Sequence, residues 1–227
     1  MSSHDLVVWG ASGHARVVID AAKSEGRYNP VALIDDRSDS SRAHELDGVP
    51  VVGGRESLSR LHDRGTRHLI VAFGNCPARI AAADVAVAAG FELVTIVHPR
   101  ATVAAGATLG EGTFVAAGAV VNPGSIIGRC VIVNTMASID HDCIIGDGAH
   151  ICPGVIAAGG VIVGRCSWIG VGSVLSNDVA IGSCSIIGAG AVVVSTIGDG
   201  VVAYGSPARE MRKVDESDGL VVLANRI

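Results

Sequence analysis

His141 stands between two carboxylates, Asp140 and Asp142. A neighbouring carboxylate can fix the tautomer of an imidazole and raise its basicity. A histidine held in this way suits general-base work, in which the free ring nitrogen takes a proton from an attacking group. Both acids are candidates for the supporting role. Neighbouring side chains in a strand point to opposite sides, so Asp142 can orient the ring only if the chain turns between the two residues.

The elements that must position this histidine are six-residue repeats, which run from residue 97 to residue 198. Every sixth residue is aliphatic, and fifteen of the sixteen positions from Val103 onward are Val, Ile or Leu. These positions are Val103, Leu109, Val115, Val121, Ile127, Val133, Ile139, Ile145, Ile151, Ala157, Val163, Ile169, Leu175, Ile181, Ile187 and Val193. A helix with 3.6 residues per turn cannot keep them on one side, whereas short strands joined by tight corners can. The repeat predicts a parallel β-helix, because an ordinary β-sandwich does not require a constant spacing.

Three repeats close one coil, so residues 18 positions apart are expected to stack at the strand spacing of about 4.8 Å. Gly159 lies one coil above His141. Its missing side chain leaves space beside the imidazole and an approachable backbone N–H. A base next to a donor for a developing oxyanion is the arrangement that acyl transfer needs. The competing interpretation is a solvated corner histidine. His150 occupies a different position in its repeat and is expected on another edge of the prism.

Residues 1–96 have a different pattern, with apolar runs alternating with helical stretches. This pattern predicts a small parallel α/β unit. A glycine-rich turn at residues 10–14 follows the first apolar run, Asp35 and Asp36 end the second, and Gly74 follows the third. Backbone N–H groups at a helix start attract anions, and ligands bind at the carboxyl ends of such strands. The turn is shorter than the full dinucleotide motif. These strand ends have two interpretations: they bind a phosphate-bearing ligand, or they are ordinary loops.

Composition narrows the protein class. The chain has 227 residues, a net charge of −5, and 3% aromatic residues against 49% hydrophobic ones, which suits a prism filled with Val and Ile. No long basic run indicates nucleic acid or an anionic membrane as a partner, and no stretch has the pattern of a signal peptide or a membrane span. The six cysteines include no CxxC pair, so we expect small packing residues in a reducing cytoplasm rather than disulfides or zinc ligands.

Residues 6–36, the six-residue repeats and the Ser-Ile-Asp-His-Asp-Cys segment at 138–143 together resemble a known family. They are similar to the left-handed β-helix acetyltransferases of the bacillosamine, perosamine and sialic-acid modification pathways. The resemblance extends through Gly-Ser-Pro-Ala-Arg at 205–209. It implies a Rossmann-like nucleotide-sugar-binding domain at 1–96, a left-handed parallel β-helix of hexapeptide repeats at 97–198, and a C-terminal strand and tail at 199–227. It also implies a homotrimer with acetyl-coenzyme A between neighbouring prisms.

The resemblance implies roles for individual residues. His141 would be the general base and Asp142 the acid that tunes it, although the family often has Glu at that position. His150 would lie at the thioester, and Gly159 would offer its N–H to the carbonyl. Further coenzyme contacts would come from Val171, Ala189 and Arg209, the last of these at the phosphates. The nucleotide-sugar would be contacted by Ser12, Gly13, His14, Asp35, Asp36 and Gly74.

The predicted reaction is direct acetyl transfer to the 4-amino group of a nucleotide-linked 4-amino-4,6-dideoxy sugar, with no metal. One alternative is O-acetylation of a sialic acid-type sugar hydroxyl. A second is a non-catalytic trimer that binds sugar nucleotides, and a third is an acyl donor longer than acetyl. The sequence does not indicate whether the nucleotide is UDP, GDP or dTDP.

Overall fold

The computed structural model describes residues 3–37 and 44–218, which form an α/β domain followed by a long parallel β-solenoid. The N-terminal domain has a four-stranded parallel sheet in the order β2-β1-β5-β6 and a small hairpin of β3 and β4. Its elements are β1 (His4–Trp9), α1 (Gly13–Glu25), β2 (Tyr28–Ile34), β3 (Glu45–Leu46), β4 (Val49–Pro50), a 3₁₀ helix (Arg55–Ser57), α2 (Leu58–Asp63), β5 (His68–Val71), α3 (Cys76–Ala88) and β6 (Glu92–Leu93). Residues 219–227, the end of the predicted C-terminal tail, lie outside the described residues.

The two helices that border the sheet begin and end at recognisable signals. Helix α1 ends where Gly26 adopts a left-handed conformation, φ 80°, and donates its N–H to the Ala22 carbonyl. The side chain of Asn75 caps α3 by accepting a hydrogen bond from the N–H of Ala78 at 2.9 Å. The alternating strands and helices confirm the predicted α/β unit. The sequence did not predict β3, β4, α2 or β6, which are too short to give a periodic pattern.

The solenoid has about six coils, and each coil contributes one two-residue strand to each of three faces. The covered face, on which the N-terminal domain packs, contains β7 (Ile96–Val97), β10 (Phe114–Val115), β13 (Ile132–Val133), β16 (His150–Ile151), β19 (Trp168–Ile169) and β22 (Ile186–Ile187). The second face contains β8 (Thr102–Val103), β11 (Val120–Val121), β14 (Ser138–Ile139), β17 (Ile156–Ala157), β20 (Val174–Leu175) and β23 (Val192–Val193). The third face contains β9 (Thr108–Leu109), β12 (Ile126–Ile127), β15 (Ile144–Ile145), β18 (Ile162–Val163) and β21 (Ala180–Ile181).

Strand register confirms the predicted stacking of residues 18 apart. Ile132 pairs with His150, and Ser138 pairs with Ile156. In each strand the second residue, which is the aliphatic position of the repeat, points into the prism and the first points outward. Val133 and Ile139, for example, are both fully buried in the prism core. The interior is therefore a continuous aliphatic core, as the composition predicted.

Buried hydroxyls tie successive coils together at the corners. Ser167 is fully buried; its Oγ donates to the Gly182 carbonyl at 2.6 Å and accepts the Ser185 N–H at 3.1 Å. Thr113, Ser125 and Ser185 each repeat this pattern with the coil that follows them. If the inward aliphatic residue is counted as the first of each repeat, these residues occupy the fifth position, which is small or β-branched. Their side chains therefore take little space at the corner and also form hydrogen bonds with its backbone groups.

In most repeats the fourth position turns the corner with a positive φ. Most of these positions are glycine, but Asp142 adopts the same left-handed conformation at φ 58°. Three cysteines, Cys130, Cys166 and Cys184, also occupy it. Five of the six cysteines are buried, as expected for packing residues, whereas Cys184 is exposed.

The N-terminal domain packs on the outward side chains of the covered face. Phe114 and Ile132 join a buried cluster with Val8 and Ile70 of the α/β sheet. Beyond the last coil, the chain forms an antiparallel hairpin of β24 (Val201–Gly205) and β25 (Ala208–Lys213), with β24 extending the covered face. The sequence predicted one strand followed by a tail in this region. The second strand, β25, was not predicted, and a short 3₁₀ helix (Glu216–Asp218) follows it.

Within the described residues, no domain packs on the second and third faces, which expose aliphatic side chains. Outward positions on these faces that remain exposed in the chain are Ile126, Ile144, Ile156, Ile162 and Val174. Among residues 3–37 and 44–218, no helix is both long enough and apolar enough to cross a bilayer.

Candidate active site

His141 and Asp142 lie at the corner between β14 and β15, where the second face meets the third. Because Asp142 is in the left-handed conformation, its side chain turns back toward the neighbouring ring instead of pointing away from it. Nδ1 of His141 lies 2.9 Å from Oδ2 of Asp142, and the imidazole is largely exposed. The hydrogen bond to Asp142, followed by the negative charge of Asp140, raises the pKa of His141. A proton on Nδ1 leaves Nε2 as the basic atom, with no partner in the described part of the chain.

Asp140 has a different role at the same corner. Its Oδ1 accepts hydrogen bonds from the His141 backbone N–H at 2.8 Å and from the Asn122 amide at 3.0 Å. These two bonds lower the pKa of Asp140. Asp140 therefore holds the backbone of the corner, while Asp142 contacts the imidazole.

Gly159 lies directly above the imidazole. A Cβ on Gly159 would stand 2.6 Å from both Cε1 and Nε2 of His141, so no other residue type fits here without moving the ring. The Gly159 N–H donates to no acceptor within residues 3–37 and 44–218. The corner thus combines an exposed base with an unused backbone donor, the combination that acyl transfer needs.

A cavity of about 420 Å³ opens at the carboxyl edge of the N-terminal sheet. It is lined by Trp9, Gly10, Ser12, Asp35, Asp36, Arg37, Phe73, Gly74, Asn75 and Ala78. The starts of α1 and α3 both border it. Ser12 precedes α1 without capping it through its side chain, and Gly13 begins the helix in open space. Two helix N-termini and a hydroxyl that does not cap its own helix suit a phosphate-bearing ligand.

Gly10 is required where the two sides of this cavity meet. Its φ is 129°, and a Cβ on it would lie 2.7 Å from the Ala72 carbonyl oxygen. Glycine therefore allows the first loop to approach the end of β5 closely enough to form one cavity wall.

Asp35 and Asp36 lie on the cavity wall, each with an arginine partner. Asp35 Oδ2 accepts the Ala11 N–H at 3.1 Å and pairs with Arg37 at 3.0 Å. Asp36 accepts the backbone N–H of Arg55 at 2.7 Å and its guanidinium at 3.0 Å. The two acids thus order the loop ends around the cavity. Asp35 accepts four hydrogen bonds, one from Ala11 and three from Arg37, which is the usual capacity of a carboxylate.

His14 and His150 meet between the N-terminal domain and the covered face, with ring centroids 6.2 Å apart. Nε2 of His14 is shielded from solvent and has no partner among the described residues. Burial, and then the charge of Arg79, lower the pKa of His14 to about 4 and that of His150 to about 2. Both rings are therefore neutral at physiological pH.

The surroundings of His150 fix its tautomer. Asn134 Oδ1 accepts the Thr135 N–H at 2.8 Å, so the Asn134 amide nitrogen faces His150 Nε2 at 3.1 Å. Nε2 is then the acceptor, and Nδ1 carries the proton. The Trp168 ring packs against His150 with centroids 4.3 Å apart, and both rings lie beside Gly74.

Sequence reasoning missed four residues of this region. Trp168 stands 18 positions after His150, so the coil period could have identified it as the stacked neighbour. Asn75 precedes Cys76 and Pro77, a helix-start signal next to Gly74. Phe73 and Arg37 line the cavity without any distinguishing pattern in the sequence.

Val171 and Ala189 both lie where the covered face meets the second face, one coil apart and exposed. Arg209 is in β25, and its Nη1 donates only to the Ala208 carbonyl at 3.0 Å. Arg212, by contrast, is held by Asp218 at 2.6 Å. Within the described residues, Arg209 therefore has no carboxylate partner and is the more available cation of the two.

The predicted catalytic and substrate-binding residues, together with His150, form two groups within one chain. The first group lies in the cavity wall or where the N-terminal domain meets the covered face, and consists of Ser12, Gly13, His14, Asp35, Asp36, Gly74 and His150. His141, Asp142 and Gly159 occupy the opposite edge of the prism, where the two uncovered faces meet. The chain does not bring the base to its own cavity.

The chain is similar to a known protein family and to several solved structures. Residues 5–86 match the family model described as the PglD N-terminal domain. PerB from Caulobacter crescentus, in complex with CoA and GDP-perosamine, is 39% identical with a TM-score of 0.86, covering 92% of this chain and 98% of that one. A variant of perosamine N-acetyltransferase from the same organism has a TM-score of 0.87.

Two further solved structures are similar over the same part of the chain. The acetyltransferase domain of PglB from Neisseria gonorrhoeae FA1090 is 37% identical, with a TM-score of 0.84, and covers 92% of this chain and 100% of that one. The same domain is also known in complex with acetyl coenzyme A. WeeI from Acinetobacter baumannii AYE shares the fold at 23% identity and a TM-score of 0.74, with the same coverages. No curated protein sequence matches the chain.

Proposed function

The chain belongs to the left-handed β-helix acetyltransferases that carry a PglD-type N-terminal domain, and from this we propose its reaction. It transfers the acetyl group of acetyl-coenzyme A to the 4-amino group of a nucleoside-diphosphate-linked 4-amino-4,6-dideoxy sugar. Its relatives are an N-acetyltransferase solved with CoA and GDP-perosamine and an acetyltransferase domain solved with acetyl coenzyme A.

The observation that carries this proposal is the corner at His141. An exposed imidazole has one nitrogen bonded to Asp142 and the other open, and Gly159 directly above it keeps space for reacting atoms. A solvated surface histidine needs neither the left-handed Asp142 nor the glycine.

The chemical step is direct. The amine nitrogen of the sugar attacks the thioester carbon while His141 Nε2 accepts the amine proton. The Gly159 N–H stabilises the oxyanion of the tetrahedral intermediate. When the C–S bond breaks, the imidazolium returns the proton to the leaving thiolate, which gives coenzyme A and the N-acetylated sugar. Much of the acceleration comes from positioning the two substrates, an effect of roughly 7–11 kcal/mol in well-oriented systems.

We infer that the working unit is a homotrimer and that two chains share each site. The exposed aliphatic side chains of the second and third faces, such as Ile126 and Ile156, favour contact with further copies. The base lies on the edge between these faces, away from the cavity of its own chain. In the proposed assembly, the cavity of one chain receives the sugar nucleotide and the His141 corner of its neighbour completes the site. Val171, Ala189 and Arg209 line the path of the coenzyme.

We place the protein in the cytoplasm. All six cysteines are free thiols in the structure, which suits a reducing compartment.

The decisive experiment measures thiol release from acetyl-coenzyme A with UDP-, GDP- and dTDP-linked 4-amino-4,6-dideoxy sugars, beside the matching 4-hydroxy sugars. Turnover on one amino sugar, reduced roughly 10²–10⁴-fold by His141→Asn, is the expected result. Turnover only on hydroxy sugars would replace N-acetylation by O-acetylation. Absence of turnover with intact nucleotide binding would leave a sugar-nucleotide-binding protein.

A further inference from the structure

Arg79 is almost fully buried, with 1% of its surface exposed. It lies in the first turn of α3, and its hydrogen bonds all go to backbone carbonyls. Nε donates to Cys130 at 2.9 Å, Nη1 to Phe73 and Gly74 at 2.9 Å each, and Nη2 to Gly148 at 2.7 Å and Ala149 at 3.3 Å. A guanidinium has five N–H donors, so every one of them is used. Within the described residues, no carboxylate contacts this charge.

This position is electrostatically costly for a cation. The start of a helix carries partial positive charge, which disfavours a second positive charge in the first turn. Removing a charge from water costs further free energy, and apolar residues often replace buried charges without loss of stability. Packing alone therefore gives no reason for arginine at position 79, and the charge itself needs an explanation.

Two of the carbonyls that Arg79 holds, those of Phe73 and Gly74, belong to residues that line the cavity. Because a trans peptide places C=O and N–H on opposite sides, a Phe73 carbonyl turned toward Arg79 turns the Gly74 N–H away from it. Gly74 lines the cavity, and its N–H has no acceptor in the part of the chain that the structure describes. Arg79 thus fixes the direction of a backbone donor that belongs to a cavity-wall residue.

Arg79 also acts on the strand that carries His150. Its bonds to Gly148 and Ala149 fix the backbone immediately before that residue. After burial, the charge of Arg79 is the next cause that lowers the pKa of both His14 and His150. The same guanidinium therefore joins the nucleotide cavity of the N-terminal domain to the histidine of the solenoid.

We propose that Arg79 is a positioning residue for the diphosphate of the acceptor: it orients the Gly74 N–H into the cavity and supplies positive charge that attracts the phosphates. The starts of α1 and α3 border the same cavity and add to this attraction. This inference rests on the proposed function in one respect, which is that the acceptor carries a nucleoside diphosphate.

The test is calorimetric binding of GDP, UDP and dTDP, without sugar, to the wild-type protein, Arg79→Met, Arg79→Lys and Arg129→Met. Arg129 is the matched control, because it also joins the two domains, through Asp84 at 2.8 Å, but lies outside the cavity. We expect Arg79→Met to weaken diphosphate binding about tenfold or more, the size of a lost charge-assisted hydrogen bond. Arg79→Met should bind acetyl-coenzyme A within about twofold of the wild-type affinity. Arg129→Met should bind the nucleoside diphosphates within the same limit.

Arg79→Lys keeps the positive charge but has fewer hydrogen-bond donors. It provides the same test if Arg79→Met does not fold. We expect it to weaken diphosphate binding by an intermediate factor and to raise KM for the sugar nucleotide more than it lowers kcat. Equal losses for the diphosphate and acetyl-coenzyme A would mean a purely structural role and overturn the proposal, as would unchanged diphosphate affinity in Arg79→Met. Wild-type protein that binds no nucleoside diphosphate would overturn the proposed function itself.

Discussion

At the scale of single residues, the chemistry depends on an unusual backbone conformation at Asp142. Asp142 occupies a corner position that most coils fill with glycine, and its positive φ places the carboxylate beside the preceding side chain. Aspartate tolerates this conformation better than longer or branched residues do. The shorter acid therefore reaches the imidazole from its own corner, at 2.9 Å.

The pH dependence of turnover tests this pair. His141 must be neutral to accept a proton, so the rate should fall as pH falls through its raised pKa. Asp142→Asn removes the main cause of that rise, so the acid limb should move to lower pH while the plateau rate decreases. Rate profiles of wild type and Asp142→Asn check this, with Asp147→Asn, an exposed acid on another edge, as the control. An unmoved acid limb would contradict the assignment.

A second residue-scale prediction concerns Gly159. Gly159→Ala places a methyl group 2.6 Å from the present position of the His141 ring, so the ring must move. Displacement of a catalytic group by about 1 Å can cost roughly a hundredfold, and we expect kcat to fall by that order. Gly106→Ala is the control, because Gly106 lies on the same edge with its nearest neighbour 3.9 Å away. Equal activity of the two variants would remove Gly159 from the mechanism.

At the scale of elements, the coils are joined by buried hydroxyls as well as by aliphatic packing. Ser167→Ala leaves the Ser185 N–H and the Gly182 carbonyl without their partner. We expect a loss of about 1–3 kcal/mol in the free energy of unfolding. Ser173→Ala should cost less, because the buried Ser173 hydroxyl donates only to the nearby Gly170 carbonyl. Urea denaturation at one protein concentration compares the two, and a reversed order would contradict this account of the corners.

The junction between domains carries a further pH effect. The pKa of His14 is about 4 in the folded chain, compared with its ordinary value of 6.5. Between these two pH values, the unfolded chain binds a proton at His14 that the folded chain does not bind. Stability should therefore fall as pH drops from 6.5 toward 4, and His14 accounts for about 2 kcal/mol between pH 7 and pH 5. In His14→Gln, the difference in unfolding free energy between these pH values should shrink by that amount. An unchanged difference would mean that His14 is not held neutral.

These elements also show what the sequence could predict. The aliphatic period fixed the strand positions, and the 18-residue stacking placed Gly159 above His141. The period does not indicate which of three equivalent faces another domain covers, so the burial of His150 beneath the N-terminal domain and its contact with His14 could not be foreseen. Arg79 gave no signal either, because its partners are backbone carbonyls from three separate segments, and carbonyls carry no residue identity.

At the scale of the whole molecule, the separation of His141 from the cavity predicts complementation. Co-expressed His141→Asn and Ser12→Tyr chains, the second with a filled cavity, should form mixed trimers. If neighbouring chains share each site, about a quarter of the sites in a random equal mixture are intact. Activity well above that of either variant alone is the expected result, with light scattering to confirm trimers. No recovery in mixed trimers would mean that each site lies within one chain.

The regular coil has a consequence for how such a chain can change in length. Each coil uses 18 residues and raises the chain by one strand spacing, about 4.8 Å, before it returns to the same edge. An insertion of six residues between Val171 and Ala189 would shift every later residue by one face, so the two residues would no longer share an edge. An insertion of eighteen would keep every edge and only lengthen the path from His141 to Arg209. The solenoid can therefore change in length only by whole coils without moving residues to other edges. The number of coils sets the length of cofactor that the molecule can span.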